Sequence, residues 1–227
     1  MLLQIDSAVS LAEEMPQVEQ ESINLFEMAQ YGGWIMVILA AMLAFACYIF
    51  IERLVVLKKA TQEDKSFMDR IRDYIHDGKM DSAVNLCRTT NTPSARMIEK
   101  GISRIGRPMQ DVQVAVENVG NLEVSILEKG LVLMATIAAG APMLGFLGTV
   151  LGMVQTFYNM AQTSGGVIEM SALSTGMYQA MVTTIGGLIV GILAMFAYNM
   201  LVARIDRVVR LLESRTMEFM DLLNEPA

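Results

Sequence analysis

Residues 137–157 read IAAGAPMLGFLGTVLGMVQTF, and residues 179–199 read QAMVTTIGGLIVGILAMFAYN. Neither stretch holds an acidic, basic or histidine side chain. They lie inside charge-free runs at 130–168 and 170–203, and a third such run occupies 28–51. A helix needs about 20 apolar residues to cross a bilayer. The reading is therefore an all-α integral membrane protein with three transmembrane helices. Composition agrees: 53% of the 227 residues are hydrophobic and 18% charged, where a soluble domain averages about 25% charged. An ordinary soluble enzyme, a disordered tail and a disulfide-stapled secreted module are excluded.

Charge distribution sets the expected topology. Of the 17 Lys and Arg, 13 lie between Arg53 and Lys129 and four in the tail, at Arg204, Arg207, Arg210 and Arg215. The first 31 residues carry six acids and no base. Basic residues stay on the cytoplasmic side. This predicts an external segment over 1–30, spans at 31–52, 131–161 and 171–203, an external loop at 162–170, a cytoplasmic helical domain over 53–130 and a cytoplasmic C-terminal helix over 204–227. The N-terminal segment lacks the basic start of a signal peptide and reads as an amphipathic helix near the membrane surface. The basic cluster from Arg53 to Lys59 reads as topogenic charge in preference to a lipid-specific site. Trp34 and Tyr31 mark the outer boundary of a lipid-facing first span, and Tyr48 its inner one.

The cytoplasmic part reads as helical throughout. Helical spacing covers 54–77, Asp81 is expected to cap a short helix through Cys87, and Ser94 to begin another that ends near Pro108. From Met109 the pattern meets no proline until Pro142. At about 1.5 Å per residue, this predicts one rod of roughly 75 Å over 109–160, with the third span extending likewise through Leu223. Cys47 and Cys87 lie too far apart in this topology to pair. His76 reads as a surface residue, and neither a metal-ligand set nor a cofactor is implied.

Taken at steps of three and four, the second run presents Ala135, Ala138, Pro142, Gly145, Thr149, Gly152, Thr156, Asn159 and Thr163, all small or polar. The third run offers Ala172, Gly176, Gln179, Thr183 and Gly186, with Thr184 on an adjacent face near Gly187 and Gly191. Gly148/Gly152 and Gly187/Gly191 form two GxxxG pairs that permit close backbone approach. Such a seam serves helix packing or lines a polar pathway, and Gln179 at mid-depth weighs towards the pathway. No Asp, Glu, His, Lys or Arg lies within the three charge-free runs. A carboxylate that carries a proton here has to come from another chain.

The two quoted stretches resemble the second- and third-span signatures of the MotA/TolQ/ExbB proton-channel family. The likeness runs over roughly residues 30–205 and includes the cytoplasmic stretches 81–86 and 93–101. Three spans with an outer N-terminus suit the ExbB and TolQ branches, and the extended N-terminus leans towards ExbB. The resemblance implies a non-enzymatic pentamer surrounding an ExbD-like single-span dimer, whose aspartate carries the proton. It also implies a TonB-like partner that opens outer-membrane receptors for iron chelates, haem or cobalamin, and no dealings with nucleic acid. Membrane lipids are the remaining expected contact.

By the resemblance, Thr149 and Thr184 match channel-lining threonines. Thr183, Gln179, Thr156, Gly145 and Gly152 are expected to join them along the pathway. Gly148, Gly187, Gly191 and Pro142 are expected to serve helix packing. Two departures stand out. Gln179 occupies the place of a usual glutamate, and Ile192-Leu193-Ala194 that of a frequent Ile-Pro-Ala, which predicts a straighter third helix. The alternatives are a TolQ-like subunit serving envelope integrity and division, or a non-conducting membrane scaffold.

Overall fold

The computed structural model describes residues 32–61, 66–162 and 170–224, and every element among them is helical. In chain order these are α1 (Gly33–Thr61), α2 (Phe67–His76), α3 (Met80–Thr90), α4 (Pro93–Ile102), α5 (Met109–Glu128), α6 (Leu131–Gln162) and α7 (Met170–Asn224). The expected N-terminal amphipathic helix, Tyr31, Thr163 and most of the loop between the second and third spans lie outside the described residues. Three helical stretches, Gly33–Thr61, Met109–Gln162 and Leu173–Asn224, are long and apolar enough to cross a membrane. Their outward faces carry large apolar side chains, including Val37, Tyr48, Phe146, Phe157, Ile192 and Phe196. Water would not tolerate that density of exposed apolar surface, whereas lipid does.

One helix organises the rest. α7 has 55 residues, or about 80 Å at 1.5 Å per residue. It runs unbroken through Ile192-Leu193-Ala194. Ala194, Leu201, Ile205, Val208, Leu212, Phe219 and Leu222 are all buried along it. Their near-heptad spacing keeps a single stripe turned inward from the apolar part of the helix into its charged C-terminal part. α6 and α1 pack on its apolar end, and α4 and α5 on its far end. There Gly101 receives the Phe219 ring, and Gly120 lies under the Met97 thioether.

The single rod expected over 109–160 is two helices. Lys129 has φ −55 and ψ 128, and Gly130 has φ +90, the dihedral pattern of a type II turn, which needs a left-handed residue at its third position. A Cβ at Gly130 would meet Ile49 and Arg53 only at ordinary contact distances, 3.4 and 3.7 Å. Glycine is required there for its φ and not for space. Below the turn, the buried Arg53 guanidinium donates to Ile126 O at 3.1 Å and pairs with Glu52 at 3.2 Å. A cation thus sits on the carbonyl end of α5, where the helix dipole favours it. One member of the basic cluster read as topogenic is therefore part of the fold.

The shorter helices also shift from expectation. α3 starts at Met80 with Lys79 as its cap residue and without a side-chain cap bond, so Asp81 lies within its first turn. It ends on Asn91 in a left-handed conformation with φ 49. α4 starts at Pro93, one residue before Ser94, and Thr92 caps it by accepting from Ala95 N at 3.3 Å. Arg96 closes this corner: it donates to Asn91 O at 3.0 Å and Asn91 Oδ1 at 2.8 Å. Its other donors make a two-pronged pair with Glu123 of α5 at 2.6 and 2.5 Å. Hydrogen bonding to that carboxylate holds the guanidinium pKa above its ordinary value.

Glu123 is 7% exposed, so removing its partner strands a carboxylate in an apolar setting. Arg96→Ala is expected to cost about 3 kcal/mol. Arg88, whose side chain is 69% exposed beside Glu99, provides the contrast, and Arg88→Ala should cost less than about 1 kcal/mol. Thermal unfolding of the two purified variants, followed by circular dichroism, checks the difference.

Candidate functional site

The α6–α7 contact contains most of the residues singled out above. The helices are antiparallel and meet through an almost side-chain-free strip. A Cβ at Gly187 would lie 2.6 Å from Ala141 O and 2.8 Å from Gly145 Cα. One at Gly145 would lie 3.0 Å from Thr183 O and 3.1 Å from Gly187 Cα. Both obstacles are backbone, so neither can swing aside. Towards one end, Gly191 faces the Pro142 ring, with Ala138 O 3.1 Å from where its Cβ would be. Proline lacks the amide that would bond that carbonyl, and a bare glycine opposite leaves room for both. Towards the other end, Gly152 faces Ala180 and Gly176, and Gly176 in turn receives Thr156.

The threonines divide into two kinds. Thr183 is 1% exposed and donates to Ala180 O at 2.8 Å. Its hydroxyl fills the notch left by Gly148, where a Cβ would come within 2.5 Å of Oγ1. Thr156 is likewise buried and donates to Gly152 O at 2.7 Å. Both hydroxyls are satisfied by their own helix and lie in the contact plane. Thr149 and Thr184 are only half-buried. Thr149 donates to Phe146 O at 2.6 Å. The Thr184 hydroxyl lies 3.4 Å from Ala180 O and 3.5 Å from Gly145 O across the helix pair. These long, shared contacts leave the Thr184 hydroxyl the freer of the two to turn towards another acceptor.

Gln179 and Gly186 are elsewhere. The Gln179 amide nitrogen lies 3.1 Å from where a Cβ on Gly33 would be. Gly186 lies under the Met36 thioether, with Leu39 beside it. Both therefore face α1, while Gly176 and Thr183 face α6. The small and polar positions of the third span, read from sequence as one face matching α6, serve two neighbours. The sequence shows that such positions need a helical partner, but not which one.

The chemistry available along the strip is hydroxyls and backbone carbonyls. These can solvate a charge and move a hydrogen bond, but none can hold a proton near neutral pH. Among the described residues, no cluster of three or more His, Cys, Asp or Glu is placed to hold a metal. Outside the spans, Cys87 is fully buried in the apolar core. Burial first, and then the charge of Glu99, push its thiol up to about 12. A thiol so held is inert as a nucleophile.

The sequence profile of the MotA/TolQ/ExbB proton channel family matches residues 89–214, which contain α5, α6 and most of α7. The chain belongs to that family. An ExbB homologue of Methanothermobacter thermautotrophicus is 30% identical over 189 residues, 81% of this chain and 66% of that protein. The biopolymer transport protein ExbB of Aquifex aeolicus is 39% identical over 79 residues, 35% of this chain and 52% of that one. The Tol-Pal system protein TolQ of Haemophilus influenzae is 26% identical over 204 residues, covering 85% of this chain and 89% of the relative. The chain thus spans about two thirds of one ExbB relative, half of another, and most of TolQ.

The Gly145–Gly187 crossing predicts a sharp contrast between neighbouring glycines. Gly187→Ala forces two backbones apart and is expected to cost about 3 kcal/mol. Gly140→Ala, whose new methyl would meet only Met42 Cε at 3.9 Å, should be neutral within about 0.5 kcal/mol. Melting of the detergent-solubilised variants measures both.

Proposed function

We propose that this chain is the ring-forming, ExbB-like subunit of a proton-motive-force-driven motor in the inner membrane, with its N-terminus periplasmic and its C-terminus cytoplasmic. Five copies surround the single spans of an ExbD-like dimer. The motor drives a TonB-like protein that opens outer-membrane receptors for iron chelates, haem or cobalamin. The observation that carries the reading is a polar seam with no titratable group. Thr149 and Thr184 offer half-buried hydroxyls, and the charge-free runs oblige the partner to supply the carboxylate. Proton transfer to and from that carboxylate would be eased by hydroxyls that stabilise its charged form. Gln179 lies at the α1–α7 contact, where it tunes the position of α7 without relaying a proton.

Family membership and the ExbB names of several relatives support the reading. The near full-length match to TolQ favours a second one, a motor serving envelope integrity. The discriminating experiment expresses the chain, with an ExbD-like single-span protein, in cells lacking either ExbB or TolQ. Restored growth on a ferric chelate supports the first reading. Restored resistance to bile salts with no growth on the chelate overturns it in favour of TolQ.

In the system that responds, Thr184→Val keeps the shape and removes the hydroxyl. Losing a hydrogen bond to a charged group costs about 1.5–3 kcal/mol, so proton flux into vesicles should fall on the order of tenfold to a hundredfold while the ring stays assembled. Unchanged flux in both Thr149→Val and Thr184→Val would reduce the seam to packing and leave a non-conducting scaffold.

Gln179→Glu should be tolerated, because the amide is half-buried and a carboxyl retains an acceptor there. Gln179→Leu should impair growth in the responding strain, and full activity of the Leu variant would make this position a simple spacer.

A further inference from the structure

A second polar feature lies away from the α6–α7 seam. Between α1 and α7, a cleft of about 550 Å³ is lined by Lys58, Thr61, Arg204 and Arg207, with Met200 and Ala203 at its apolar end. Met200, Ala203, Arg204 and Arg207 follow one another at i, i+3, i+4 and i+7, and so share one face of α7. Lys58 and Thr61 approach from α1. None of the three cations makes an ion pair with a described carboxylate, and Glu52, the nearest acid within α1, is engaged by Arg53. On α7 the cleft falls where the charge-free run 170–203 ends, and on α1 it lies about two turns past the end of the run 28–51. If α1 and α7 are spans, as the reading above holds, it lies at headgroup level, with its apolar end towards the hydrocarbon.

We propose that this cleft is a phosphate site for the headgroup of an anionic phospholipid, one of whose acyl chains follows the groove past Met200. Three convergent cations from two helices suit a phosphodiester. A concave apolar floor continuous with the membrane suits the attached chain, which free phosphate lacks. Topogenic charge alone asks only that cations be on one side of the membrane. It does not ask them to converge: Lys59 and Arg210 carry the same sign beside the cleft without lining it. A lipid held here bridges the first span to the central helix.

The test uses the purified full-length chain in neutral detergent, titrated with dioleoyl phosphatidylglycerol, dioleoyl phosphatidylcholine or inorganic phosphate. Lipid adducts are counted by native mass spectrometry, and melting is followed in parallel. The expected result is an adduct and a raised melting temperature with phosphatidylglycerol only. Arg204→Gln/Arg207→Gln should weaken its apparent affinity on the order of tenfold, while Lys59→Gln/Arg210→Gln leaves it unchanged. Ala203→Trp fills the cleft without altering charge, and it should abolish the adduct. Equal binding of phosphatidylcholine, equal loss in both double variants, or retention in Ala203→Trp would overturn the proposal. The same melting shift from inorganic phosphate would overturn the lipid source. Because the readout is binding to this chain alone, failure of the motor reading leaves the result interpretable.

Discussion

The contact between bare backbones at Gly145 and Gly187 is the constraint on which the rest depends. In lipid there is little hydrophobic gain from pressing two helices together, so association relies on close van der Waals approach and on hydrogen bonds made in passing. Removing both side chains at the crossing brings the axes near enough for Thr183 to fill the Gly148 notch and for the Thr184 hydroxyl to reach Gly145 O. The same approach leaves space for Pro142 inside α6. Its ring would otherwise hold the pair apart, and Gly191 accepts it. A single interaction therefore fixes the helix spacing, the rotation of α6 about its axis and the half-exposed setting of Thr149 and Thr184.

What happens at that crossing is conveyed outward by α7. Its inward stripe is continuous from Ala194 to Leu222, so a change in its tilt at the seam is felt at Phe219, where the ring packs on Gly101 of α4. α6 and α5 have no such continuity, because the Lys129–Gly130 turn separates them. Arg53 reinforces that joint by placing its charge on the α5 carbonyls. The molecule thus has one stiff member, α7, and one jointed member, α5–α6, packed side by side.

Much of this was legible in the sequence, and the unreadable parts share a cause. Charge-free runs gave the three spans, since excluding charge from hydrocarbon is a one-dimensional property. The seam Pro142–Gly145–Gly152–Thr156 was legible because a helix has a fixed period. The broken rod was not: Lys129-Gly130 inside a helical pattern is also tolerated within a helix, and only the dihedrals reveal the turn. The division of the third-span face was illegible for a different reason. Gln179 and Thr183 lie on neighbouring sectors of one helix, and their periodicity is the same whether one helix or two receives them. Cys87 and Glu123 would have looked unremarkable in any reading, as their importance comes from burial.

Arg53 shows where charge counting stops being informative. Counted with Lys58 and Lys59, it is one of three cations on one side of the membrane, and topology needs nothing more of it. In the fold, its side chain is 9% exposed and bonded to Ile126 O; Lys58 lines a cleft with Arg204 and Arg207; Lys59 faces outward. Three adjacent charges of the same sign thus meet three environments. The cost of burying a cation without a partner is several kcal/mol, which is why the one that is buried sits on the carbonyl end of a helix. The one that lines a concavity with two further cations gains from meeting an anion there. A charge total averages over these differences, and the difference between them is where the chemistry of this chain resides.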